Sequence, residues 1–86
     1  MYTPIQRWDK RRTRMLDGYV LRYVPEHPKS FGGWYYEHRL VYEKHLGDIL
    51  DSRETVHHIN EDKQDNRLCN LFVCTEPQHR KAHVLN

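Results

Sequence analysis

Glu54-Thr55-Val56-His57-His58-Ile59, then Asn60-Glu61-Asp62-Lys63-Gln64-Asp65-Asn66-Arg67, then Asn70-Leu71-Phe72-Val73-Cys74-Thr75: the fold of this 86-residue chain turns on these three runs. The first has strand character. The second is eight polar residues without an apolar anchor, which is loop composition. The third returns to a short strand. Thr75 is placed to cap a following helix, with Gln78 three residues on as in a capping box and Pro77 in the first turn, where a missing N–H does little harm. The C-terminal half thus reads strand, polar loop, strand, helix.

Working outward, Glu37 to Leu46 reads as a helix. Leu40 and Val41 lie at three- and four-residue spacings from Tyr36 and Lys44, and Gly47 stands where a C-terminal cap belongs. His38 and His45 within it read as packing or surface histidines. Upstream, Gly18 to Val24 is β-branched or aromatic at most positions and is stopped by Pro25. Pro28, Gly32 and Gly33 give turn chemistry, and a second strand starting at Trp34 makes a hairpin with the first. Residues 1–17 lack clear periodicity and read as an irregular lead-in, with Trp8 as its anchor to the body.

The length allows one domain, and 37% hydrophobic residues suffice for one small core. A charged fraction of 30% is ordinary for a folded soluble domain and unlike a disordered tail. No run approaches the roughly 20 apolar residues of a membrane span, and Met1 to Lys10 lacks the apolar stretch of a secretory signal. Two cysteines cannot build a disulfide framework. The expected setting is cytoplasmic, with no membrane partner. Charge is uneven: residues 1–14 hold Arg7, Lys10, Arg11, Arg12 and Arg14 against Asp9, a local +4, while the rest carries nine basic and eleven acidic residues, −2. A basic head on a faintly acidic body suggests a polyanionic partner.

Seven histidines are a dense supply of near-neutral bases and metal ligands. His79 and His83, at i and i+4, share one helix face. His57 and His58 are strand neighbours, which point to opposite faces in a regular strand; at a strand end running into a loop both can reach one cleft. Cys69, Cys74, His79 and His83 are in zinc-finger order, but a finger wants about twelve residues between the second cysteine and the first histidine, and here four intervene. The cysteines read instead as small core hydrophobes.

Val56-His57-His58-Ile59-Asn60, Asp62-Lys63, Asp65-Asn66-Arg67, Asn70-Leu71 and His79, in this order, closely resemble the HNH (His-Asn-His) endonucleases of the His-Me finger group, whose site is a ββα-metal motif. Glu37-His38-Arg39-Leu40-Val41 with Glu43-Lys44-His45-Leu46-Gly47 looks like the helix preceding that motif in small phage-type HNH proteins. The resemblance covers about residues 18–83. It implies an α+β fold: an N-terminal β-hairpin and helix followed by the ββα-metal motif, with residues 1–17 as a basic arm, 18–86 as one nuclease domain and the metal core over about 54–85. Many relatives carry glycine where Glu61 stands; Asn60 is the residue expected to take a left-handed turn instead.

Position by position, the resemblance implies that His57 and His79 hold the metal, that His58 is the general base, that Asn70 supports the loop and helps orient the base, and that His83 lies by metal and phosphate as in nuclease colicins. The implied cofactor is one divalent ion, Mg²⁺ or Mn²⁺ by family, with Zn²⁺, Ni²⁺ and Co²⁺ left open by the imidazole ligands. An imidazole, with an ordinary pKa of about 6.5, suits a base at physiological pH. Donation of its other N–H to an oxygen would fix the tautomer. Double-stranded DNA is the expected substrate, met by Arg7, Lys10, Arg11, Arg12 and Arg14 and, nearer the site, by Lys63, Arg67, Arg80 and Lys81. These are phosphate contacts that carry no sequence information. One such site cuts one strand at a time, so a monomer nicks and a double-strand break needs a homodimer or a second event. The competing readings are a non-catalytic DNA-binding module, a nuclease subunit active only in a larger assembly such as a phage packaging machine, and a structural zinc protein.

Overall fold

The computed structural model describes residues 4–74. In chain order they form β1 (Thr13–Leu16), β2 (Tyr19–Tyr23), β3 (Trp34–Tyr36), α1 (Glu37–Leu46), β4 (Thr55–His58), a short 3-10 turn (Leu68–Asn70) and β5 (Leu71–Cys74). The architecture is α+β. β1, β2 and β3 make an antiparallel sheet, and β4 and β5 a separate antiparallel hairpin. The helix expected after Thr75 lies outside the described residues.

The reading of residues 1–17 as an irregular lead-in is corrected at both ends. Pro4 and Ile5 are buried, and Ile5 packs with Val24, Tyr35 and Leu40, with Trp8 against them. Thr13–Leu16 pairs with β2 through the two-residue turn Asp17-Gly18, both with positive φ (52° and 85°). That turn matches the right-handed twist of the strands it joins, and Asp-Gly is among the dipeptides that adopt it. All four β1 residues are exposed, so no alternation of apolar and polar residues marks the strand.

Helix α1 begins and ends where its pattern predicts. Gly47, at φ 77°, closes it by donating its N–H to the Glu43 carbonyl at 2.8 Å. The helix joins two small cores. Leu40 faces Ile5, Val24 and Tyr35, while Val41 and Tyr42, with Val73 of β5, pack on the cluster of Leu50, Val56 and Leu71. Full burial of a side chain such as Leu40 contributes about 1.5–3 kcal/mol.

Glu43, on the same helix, is 0% exposed. Its carboxylate accepts from His27 Nε2 (2.8 Å), the Tyr35 hydroxyl (2.9 Å) and the Leu50 N–H (3.1 Å). His27 Nδ1 accepts the Lys29 N–H at 3.0 Å, so its proton sits on Nε2 and points at Glu43. Burial pushes the Tyr35 hydroxyl up to about 12, which keeps it a donor. One carboxylate thus ties the β2–β3 loop, β3, α1 and the segment after it. Glu43→Ala would remove the carboxylate that accepts from three buried donors, each such loss costing about 1–3 kcal/mol. Urea denaturation is expected to show a loss of at least about 3 kcal/mol; a loss below about 1 kcal/mol would remove Glu43 from this role.

Candidate active site

Residues 59–70 form a loop that supplies its own hydrogen-bond partners. Asn60 Oδ1 accepts the Asp62 N–H (2.9 Å), Asp62 Oδ1 accepts the Gln64 N–H (3.0 Å), and Asn60 Nδ2 donates to Asp65 Oδ2 (2.9 Å). Arg67 forks onto Asp65 at 2.8 and 2.7 Å, holding that carboxyl well below the usual range. Asn70 is buried and closes the loop: its Nδ2 donates to Asn60 Oδ1 (2.9 Å) and the Asp65 carbonyl (2.8 Å), and its Oδ1 accepts the Asn60 N–H (3.0 Å). The left-handed position is Glu61, at φ 65°, rather than Asn60. Asn60 is instead occupied as a hydrogen-bond hub, and the turn falls one residue later.

His58 ends β4 just before this loop. Its Nε2 lies 2.7 Å from Asn66 Oδ1, and Asn66 Nδ2 donates to Glu37 Oε1 at 2.9 Å. Glu37 is paired in turn with Arg22 Nε on β2. Burial pushes the Glu37 carboxyl up, but the Asn66 and Arg22 hydrogen bonds outweigh it and hold the group below its ordinary value. The His58 ring lies 5.0 Å from the His38 ring and 6.1 Å from Tyr19, which itself stacks on His38 at 5.2 Å. His57, on the other face of β4, stacks on its cross-strand neighbour Phe72 at 5.1 Å.

Both histidines nevertheless line one open cleft of about 410 Å³, with Tyr19, Thr55, Val56, Glu61 and Lys63. Four consecutive strand residues can border one cleft only along the strand's edge, and among the described residues β4 pairs on one side alone. Lys63 crosses the cleft, its Nζ 4.7 Å from the Tyr19 ring centre and 3.0 Å from the Asp17 carbonyl.

The other sequence-derived candidates fall in three groups. Arg7, Lys10, Arg11, Arg12 and Arg14 are exposed; Arg12 lies over Tyr23 (4.6 Å) and Arg14 over Trp34 (4.5 Å), on the sheet that also carries Tyr19. Arg67 is exposed but bound to Asp65. His79, Arg80, Lys81 and His83 lie outside the described residues. Of the two cysteines, Cys74 is buried and Cys69 is exposed, so the core reading fails for Cys69.

A family model described as HNH endonuclease matches residues 35–81, more than half of the chain. The chain belongs to the HNH endonuclease family. Comparison with curated proteins found no match, and neither did comparison with solved structures. Membership implies a nuclease acting on DNA, and HNH nucleases generally use a divalent metal. The donors at the cleft suit such an ion: His57 brings an imidazole and Glu61 a carboxylate to the same space. No group of three metal-binding side chains occurs among the described residues. No helix among them is long and apolar enough to cross a membrane.

Sequence reading missed Glu37, Asn66, Tyr19 and His38 as parts of the HNH site. Asn66 stands inside the motif and Glu37 in the helix that precedes it; their pairing spans 29 positions and leaves no local signal. His38 is a packing histidine, as its helical position predicts, yet its neighbour is His58. It is only 6% exposed, and its Nδ1 has no hydrogen-bond partner among the described residues. Burial, with smaller contributions from His58, Arg39 and His57, pushes its pKa down to about 3.

The unfolded chain therefore takes up a proton at His38 that the folded chain resists. Its stabilising contribution is full above the unfolded value of 6.5 and is lost as pH falls from there toward about 3. Denaturation midpoints of wild type and His38→Phe, compared from about pH 7 down to about pH 3, should diverge, the wild type losing more stability on acidification. Parallel curves would contradict the assignment.

Proposed function

We propose that the protein is a divalent-metal-dependent DNA endonuclease that hydrolyses one phosphodiester bond per site and so nicks. The observation that carries this reading is His58 at the cleft, its Nε2 engaged by Asn66 Oδ1 and its Nδ1 in no hydrogen bond among the described residues. His58 takes a proton from the attacking water at Nδ1, the nitrogen that does not face Asn66. Asn70 keeps the loop closed beneath it. His57 and His79 would hold the ion, with Glu61 as a neighbouring donor. When bound, the ion supplies Lewis-acid stabilisation of the charge that grows on phosphate and leaving oxygen; Mg²⁺ and Mn²⁺ are the family's choice, with Zn²⁺, Ni²⁺ and Co²⁺ also suited to imidazole. His83 is assigned beside the phosphate.

Double-stranded DNA lies along the basic side of the molecule, its phosphates met by Arg7, Lys10, Arg11, Arg12 and Arg14 and by Lys63 at the cleft, with Arg67, Arg80 and Lys81 following. Arg7, Lys10, Arg11, Arg12 and Arg14 serve as the DNA-facing part of a nuclease domain into which the N-terminal segment is itself packed. The cytoplasm of a bacterial or phage-infected cell supplies such a substrate.

Supercoiled plasmid incubated with the full chain and EDTA, Mg²⁺, Mn²⁺ or Ni²⁺ tests the reading. Open circles are expected with metal only, and His58→Ala should cut at least about 100-fold more slowly while still shifting DNA in a binding assay. Cleavage in EDTA, or a variant as fast as wild type, would overturn it. Binding without cleavage under every metal would favour the DNA-binding module or the assembly-dependent subunit.

A further inference from the structure

We propose that Asn66 and Glu37 are positioning residues that set the tautomer of His58, forcing its proton onto Nε2 and leaving Nδ1 as the basic nitrogen. The inference rests on the reading of His58 as the base. It follows from a chain of groups in which each has one permitted polarity. The Glu37 carboxylate, anchored by Arg22 from β2, accepts only. The Asn66 amide must therefore turn its NH₂ toward Glu37, which puts its carbonyl oxygen 2.7 Å from His58 Nε2. A carbonyl oxygen cannot donate, so Nε2 must. Flipping the amide would set oxygen against carboxylate at one end and NH₂ against N–H at the other. The polarity imposed at Arg22 thus reaches the histidine through two intervening side chains.

The arrangement is not needed to hold the loop. Asn60, Asp65 and Asn70 close it through bonds that do not involve the Asn66 side chain, so substitution at position 66 leaves that framework in place. Tyr19 and His38 limit how the His58 ring can tilt, but ring packing does not choose between the two tautomers. Asn66 does.

The test uses the full chain carrying Asn66→Ala, Asn66→Asp, or Asn66→Asp together with Glu37→Gln, and His58→Ala as the control. Cleavage rate is measured against DNA concentration, and the His58 ring nitrogens are read by ¹⁵N NMR at about pH 8, where an ordinary imidazole is neutral. Asn66→Ala should lower kcat about 10–100-fold with little change in KM, the usual range for losing the partner that orients a functional histidine. Its spectrum should change from the Nε2–H form to a mixture.

Asn66→Asp sets two carboxylates face to face and should also be slow. Adding Glu37→Gln restores donor to acceptor along the chain, since the new amide can accept from Arg22 and donate to the new carboxylate. That double variant should recover to within about tenfold of wild type, with Nε2–H restored. An Asn66→Ala protein that keeps the pure Nε2–H form, or the wild-type kcat while His58→Ala is inactive, overturns the relay alone. His58→Ala cutting at the wild-type rate overturns the base reading and the relay with it.

Discussion

Everything in this small fold hangs on a carboxylate shut away from water. Glu43 sits in the middle of α1, and a buried charge is tolerated only when its desolvation is offset by good partners. His27, Tyr35 and the Leu50 backbone provide them from three directions. The helix is thereby fixed against the first sheet and against the segment entering β4. With its middle held, the N-terminal end of α1 can hold a second carboxylate, Glu37, at a defined place beside the loop. Two glutamates less than two turns apart on one helix thus do different work: one fixes the scaffold, the other is joined to His58 through Asn66.

The site breaks local rules where function resides. Glu61 occupies a left-handed conformation that costs a side-chain-bearing residue roughly 1 kcal/mol or more, and it lines the cleft proposed to take the phosphate. Beside a bound cation the same carboxylate becomes a ligand instead of a repulsive charge. His38 is buried with an unanswered nitrogen among the described residues, a cost matched by the wall it makes for His58. Such departures from local consistency gather at functional sites.

The sequence made much of this legible. Strand–loop–strand at 54–75 and the helix 37–46 follow from composition, periodicity and the Gly47 cap, and the ordered motif around His57-His58 names the family. Strand β1 was hidden because its residues are all exposed and carry no alternation; only Asp17-Gly18 signals it. The partnership of Glu37, in the helix before the motif, with Asn66, inside it, exists only once α1 and the loop are brought together. His57 and His58 reach one cleft because they line a strand edge, a property of sheet order that one strand's sequence does not carry.

In the proposed hydrolysis a water molecule deprotonated by this chain attacks the phosphorus of DNA and expels the 3′ oxygen. Cleavage carried out in ¹⁸O-enriched water, followed by mass analysis of the new ends, tests it most directly. The expected result is one ¹⁸O atom on a 5′-phosphate beside an unlabelled 3′-hydroxyl, formed at least about 100-fold more slowly by His58→Ala. Label on a 3′-phosphate, or ends formed without label, would contradict it.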